Sequence, residues 1–197
     1  MTASIERSPE RDAALEAMLG HVSFDGWTNR ALAHGLADAG MAADEALLLF
    51  PDGRADMIEA WCDLADRRMA EAAPDFTGMG VAKRVRALLA LRFAQNRPHR
   101  EAVRRALGWL GLPGNSAIAA RITARTVDAI WHAAGDRAAD MSWYTKRASL
   151  AAIYASAVLF WLRDDSEEAA ATMAFIDRRL AGIARIGKLR ARFRRAA

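Results

Sequence analysis

Asp128, His132 and Asp136 follow one another at i, i+4 and i+8, a spacing that stacks two carboxylates and an imidazole along one face of a helix. Such a face could converge on a metal ion. Two ligand-capable side chains on one helix rarely complete a site, however, and a solvated or hydrogen-bonded face with Asp136 at the helix end is the plainer reading. No metal is expected. The remaining histidines, His21, His34 and His99, fall in separate segments, none in an HExxH or ExxH arrangement. A Ser-His-Asp ordering, a glycine-rich phosphate loop and a paired-glutamate di-iron pattern are also missing, so no catalytic residue is assigned and an enzyme is not expected.

Recognition chemistry stands a few residues on, at Trp143, Tyr144, Lys146 and Arg147. Aromatic rings next to arginine at a helix start have the composition of an interaction hot spot. The alternative is that they cap a buried helix with their rings in the core. Lys146 and Arg147 are expected to form ion pairs, with Asp136 or Asp140 as partners.

The stretch that must position these residues runs from Val127 to Leu162 and holds three of the six tryptophans (Trp131, Trp143, Trp161) and both tyrosines (Tyr144, Tyr154). Gly135 is the natural C′ residue of one helix and Ser142 the natural N-cap of the next, with Asp136 to Met141 as the turn between them. From Ala148 to Leu162 every residue is apolar except two serines. A helix apolar all round is buried, and this one is shorter than the roughly 20 residues a bilayer needs. It reads as a core or dimer-interface helix.

Helical periodicity governs the rest of the chain, with no alternating segment long enough for a strand. Helices are expected near 12–21, 28–39, 43–49, 54–72, 81–95, 99–110, 116–134, 143–163 and 167–184, with a tenth to about Arg194. The fold class is therefore all-α. The divisions expected are a flexible segment 1–11, a three-helix unit 12–53, a bundle 54–180 and a terminal helix 181–197. Bulky residues exceed what a dry bundle core must have: Leu88, Leu89, Phe93, Ile122, Ile130, Trp131, Ile153, Tyr154 and Phe160 are the candidates to line a cavity. A side-chain-filled core is the default explanation.

Length and a 53% hydrophobic content suit one domain of ordinary size. The first residues carry Glu6, Glu10 and Asp12 and read as neither a secretion signal nor a transit peptide. A lone Cys62 excludes an internal disulfide. Charge is uneven: residues 1–76 carry 6 basic and 15 acidic residues, a balance of −9, and 77–197 carry 22 and 9, a balance of +13.

The last segment, AGIARIGKLRARFRRAA, places Ile183, Ile186, Leu189 and Phe193 on one side of a helical wheel and Arg185, Lys188, Arg192 and Arg195 on the other. A basic amphipathic helix is attracted to an anionic membrane surface, at about 1 kcal/mol per basic residue. Nucleic acid is the alternative, and a disordered solubilising tail the bland reading. Gly182 and Gly187 weaken the helix.

The string DAIWHAAGD at 128–136, followed after a short gap by WYTKRASLAAIY at 143–154, resembles the ubiquinone-biosynthesis accessory family, the ninth of the Coq series. LGLPGN at 110–115 and TMAFIDRRL at 172–180 extend the likeness, which covers most of the chain from Trp27 to Leu180. The resemblance implies a tetracycline-repressor-like fold, and the lengths of the first three helices fit a helix-turn-helix unit. Its short third helix, AADEALLLF, has Asp44 and Glu45 and no basic residue, so DNA binding is not expected. The resemblance further implies a partner-binding patch at Trp143 and Tyr144, an isoprenoid or quinone-like lipid in the cavity, and a membrane-docking C-terminal helix. It implies delivery of a quinone intermediate to a di-iron demethoxyubiquinone hydroxylase. A homodimer, with no cofactor, in a bacterial cytoplasm and peripheral to the inner membrane, completes the expectation. A ligand-responsive transcription regulator and a ligand-free protein-interaction scaffold are the rivals.

Overall fold

A computed structural model describes residues 5–136 and 141–182. All regular elements among them are helical: α1 (Pro9–Asp25), α2 (Asn29–Asp38), α3 (Glu45–Leu49), α4 (Arg54–Glu71), α5 (Val81–Asn96), α6 (Arg100–Leu110), α7 (Ser116–Ala133), α8 (Met141–Trp161) and α9, residues 170–182. The expected tenth helix lies outside the described residues. By contact the chain forms two compact units, one of residues 1–68 and 95–126, the other of 69–94 and 127–197.

In the first unit, α1 begins at Pro9, three residues ahead of the expected Asp12, because Ser8 caps it. The Ser8 hydroxyl accepts from the Arg11 N–H at 3.2 Å, and Pro9 occupies a first-turn position where its missing donor costs nothing. Order also reaches Arg7, which binds Asp63 bidentately. Gly26 ends α1 with φ +70, and Thr28 caps α2 by accepting from the Ala31 N–H at 3.3 Å. The two helices cross at Gly35, where an added Cβ would lie 2.5 Å from the Met18 backbone nitrogen. That near approach buries Leu15, Met18, Leu32 and Leu36. The buried Trp27 and Trp61 rings meet at 5.1 Å and extend this core to α4.

Charged side chains tie the same unit together. Arg11 is 3% exposed, pairs with Asp56 at 2.6 Å, donates to the Leu49 carbonyl and lies over the Phe50 ring. Arg67 bridges Asp12 and Asp63, while Arg121 and Arg125 from α7 converge on Glu59. Burial would raise the Glu59 pKa, but those two guanidiniums outweigh it and hold the carboxyl below its ordinary value. Because α6 and the start of α7 join this unit, it carries 12 basic and 14 acidic residues. The −9 of the first 76 residues thus shrinks to −2, and the second unit carries +6.

In the second unit, Gly135 ends α7 with φ +77 as expected of a C′ glycine. The turn is held by Arg84, whose guanidinium donates to the carbonyls of Met79 at 2.7 Å and Ala134 at 3.2 Å. α8 starts at Met141, so Ser142 lies inside its first turn instead of capping it. Leu88, Leu89, Phe93, Ile130, Ile153, Trp161 and Ile176 form the buried interior. α9 starts three residues later than expected because Glu168 and Ala169 adopt left-handed backbone, φ 49 and 58. Asp164 organises this link, accepting from the Ser166 N–H and hydroxyl and from the Thr172 N–H and hydroxyl at 2.5–2.9 Å.

Candidate partner and ligand sites

The Gly135 turn brings the end of α7 against the start of α8 and gathers the residues singled out above. The Lys146 ammonium binds Asp136 Oδ1 at 2.9 Å and lies 5.7 Å from the centre of the Trp131 ring. Arg147 binds Asp128 through Nε and Nη2, at 2.8 and 2.7 Å, and its guanidinium carbon stacks 3.8 Å over the Trp143 ring. Both cations are therefore fixed by ion pairs: Lys146 meets Asp136 as expected, and Arg147 has Asp136 at 3.9 Å and adds Asp128, which was not expected, while Asp140 lies outside the described residues. Trp143 is half-buried beneath Arg147, while Tyr144 is 66% exposed and meets the Trp143 edge at 4.8 Å. Neither ring is in the core, so the capping alternative does not describe Tyr144.

This arrangement can recognise but has no catalytic array. Asp128 and Asp136 are occupied by the two cations, and among the described residues no group of three or more His, Cys, Asp or Glu side chains could hold a metal ion. Asp136 Oδ2 and Arg147 Nη1 face each other as an ion pair at 3.9 Å. The buried Trp131 indole N–H has no hydrogen-bond partner among the described residues; an unsatisfied buried donor costs about 1–3 kcal/mol, which favours an acceptor arriving from outside.

The cavity candidates divide. Leu88, Leu89, Phe93, Ile130 and Ile153 are buried in the second unit, with Trp131 and Tyr154 half-buried. Phe93 touches Tyr154 and Trp161, with centroids at 6.3 and 5.6 Å. Trp161 was not among the candidates, although its position eight residues after Ile153 puts it on the same face of α8. Ile122 belongs to the first unit. Phe160 is 38% exposed and stacks on Phe175 at 5.0 Å, outside the buried set. Successive positions on a helix lie 100° apart, so with Ala157, Val158 and Trp161 facing in, Phe160 falls at the edge of the buried stripe. The membrane-docking candidates, Ile183 to Arg195, lie outside the described residues.

An exposed apolar face remains on α8. Tyr144, Ala148, Ala152, Ala155 and Leu159 recur at helical spacing and are exposed, Leu159 at 61%. The expectation of a core helix is thus corrected for one side, since one stripe meets the interior and the opposite stripe, equally uncharged, meets solvent, which leaves the interface alternative. Beside it α9 exposes Ala171 and Ala174.

The sequence profile of the COQ9 family matches residues 117–187. The chain is 32% identical over 175 residues to ubiquinone biosynthesis protein COQ9-A, mitochondrial, of Xenopus laevis, covering 84% of this chain and 55% of that protein. Its human counterpart is 31% identical, with the same coverage. Coq9 of Schizosaccharomyces pombe is 30% identical over 174 residues, 88% of this chain and 69% of that protein. The chain thus spans about half the length of the two vertebrate relatives. Among solved structures, a TetR transcriptional regulator from Nitrosomonas europaea superposes with a TM-score of 0.71 at 25% identity, over 90% of this chain and 99% of that one. The fatty acid degradation regulator FadR of Bacillus halodurans superposes with a TM-score of 0.57 at 14% identity.

Proposed function

From the premise that the chain belongs to the COQ9 family, with a TetR-like fold, we propose that it serves ubiquinone biosynthesis as a non-catalytic lipid-binding accessory protein. It holds an isoprenoid or quinone-like lipid in the second unit and presents it to a di-iron demethoxyubiquinone hydroxylase. The observation that carries this reading is the cluster at the start of α8, where exposed Tyr144 and half-buried Trp143 stand over cations that are already paired. Rings held at fixed geometry by locked neighbours form a preorganised contact surface and lose little entropy on binding. The buried Trp131 indole N–H, without an acceptor among the described residues, supports a polar head group or partner group at that place.

The lipid's free energy of transfer comes from apolar burial, about 25 cal/mol per Å², and no bond is made or broken by the protein. The basic segment 183–197 supplies attraction to an anionic bilayer. No helix among the described residues is long and apolar enough to cross a membrane, which suits a peripheral arrangement, and a second copy is proposed to cover the exposed α8–α9 face. Mass spectrometry of lipids extracted from the purified chain tests the carrier role; an extract without isoprenoid or other lipid sinks it. Deleting Arg185 to Ala197 is expected to abolish liposome binding. Tyr144→Ala is expected to weaken hydroxylase capture by about tenfold or more, as for a hot-spot residue.

The transcription-regulator reading draws support from the TetR-like fold alone. α3, in the place of a recognition helix, carries Asp44 and Glu45 at its start and exposes Leu47 and Leu48 at 71% and 79%. Phosphate contacts need cations there, and α3 supplies none.

A further inference from the structure

We propose that the first unit holds a second site, a cleft that binds a small aromatic carboxylate. The cleft is an open depression of about 380 Å³ beside the α1–α2 turn, within the size range of small-molecule sites. Its floor is rigid. Trp27 is 2% exposed, and its indole N–H donates to the Ala102 carbonyl at 2.9 Å.

Two arginines from different helices grip that turn and keep donors to spare. Arg54 spends Nε on the Trp27 carbonyl at 2.6 Å and forms no ion pair among the described residues. Arg105 spends Nη2 on the Ser23 carbonyl at 2.8 Å and Nε on Glu101 at 3.2 Å. Its Nη1 would lie 3.7 Å from a Cβ at Gly26, where no Cβ stands. A guanidinium offers five N–H donors in a planar fork, so each arginine keeps some for a ligand while its position is fixed by a backbone carbonyl.

The acids nearby do not cancel this charge. Asp25 is engaged by Arg30 at 3.2 Å and His34 at 3.1 Å, and Glu101 is shared between Arg104 and Arg105. The excess is cationic, and a guanidinium fork matches a carboxylate or a phosphate; the indole beside it favours a carboxylate carried on a planar ring. Beside Gly26 and Thr28 the rest of the lining is the half-buried Trp109 indole and Leu112, 53% exposed at the rim. A planar ring attached to the carboxylate stacks on the indole, where aromatic pairs add about 0.5–1.5 kcal/mol beyond their buried area. The site is independent of the lipid reading, which concerns the other unit.

Equilibrium dialysis of the full chain against 2-naphthoate and its neutral counterpart 2-naphthalenemethanol tests the assignment. The acid is expected to be retained at a Kd of about 1 mM or below, and the alcohol about tenfold more weakly. Arg54→Gln and Arg105→Gln are each expected to weaken naphthoate binding about tenfold. Both arginines also brace the turn, so Leu112→Glu, at an exposed rim position, serves as a variant without a structural role and is expected to weaken binding by repulsion. Equal retention of acid and alcohol overturns the proposal, as does naphthoate binding that none of the three substitutions changes. No retention up to about 10 mM, weaker than any specific small-ligand site, overturns it too.

Discussion

Arg11 in the first unit and Phe93 in the second are both almost fully buried, yet they hold their surroundings by opposite means. Arg11 is clamped between Asp56, the Leu49 carbonyl and the Phe50 ring, inside a unit where Arg67, Arg121 and Arg125 each satisfy acids from other segments. Phe93 packs against the Tyr154 and Trp161 rings, in a unit whose interior is mostly apolar around the buried Arg92. The difference teaches where each unit has freedom to take a ligand. Directional, charge-paired packing leaves donors over at defined places, whereas undirected apolar packing leaves surface that another apolar body can cover.

Breaking the first pattern has the largest expected effect. Arg11→Met leaves Asp56 without its buried partner and is expected to destabilise the fold by about 3–5 kcal/mol, read from urea unfolding. Adding Asp56→Leu should recover part of that loss, and a double variant as unstable as the single one would deny that the orphaned charge is the cause. Gly35→Ala comes next: a Cβ 2.5 Å from the Met18 backbone forces α1 and α2 apart, at about 1–3 kcal/mol.

The second unit has polar anchors too, and Asp164→Asn sharpens the contrast at one of them. The loss expected at neutral pH is about 1–2 kcal/mol, that of a charged capping interaction. Burial alone would raise the Asp164 pKa, but the donors of Ser166 and Thr172 outweigh it and lower it from 3.8 to about 2. A carboxyl depressed in the folded state stabilises above its unfolded pKa and loses that contribution as pH falls toward the folded value. Urea midpoints of the native chain and the variant are thus expected to differ at pH 6 and to converge between about pH 4 and 2. The smallest effect is expected on the exposed α8 face: Leu159→Ser should change unfolding free energy by less than about 0.5 kcal/mol. Sedimentation of the same variant should show a larger share of monomer; an unchanged distribution argues against a second copy on this face.

Much of the helical layout was legible because its signals are local. Gly135 needs only its own left-handed backbone to stop α7, and Pro51 to Gly53 separates α3 from α4 without help from elsewhere. Lys146 binding Asp136 was legible too, as the two flank one short turn. Arg147 choosing Asp128 was not, since the angle at which α8 leaves that turn decides which carboxylate it meets. The late start of α9 rests on Asp164 reaching eight residues forward to Thr172, a contact that no period of 3.6 reveals. Arg84 and the arginine-lined cleft escaped for the same reason, whereas Trp161 stands at helical spacing from Ile153 and could have been read from the period.

By itself the sequence determined the helical class, the places where most helices stop, and the family to which the chain belongs, since caps, breakers and apolar period act over a few residues. Only the tertiary structure decided which charges neutralise which. A chain that reads −9 and then +13 along its length folds into units of −2 and +6, because Coulomb attraction depends on distance in space and brings Arg121 and Arg125 onto Glu59 across more than 60 residues.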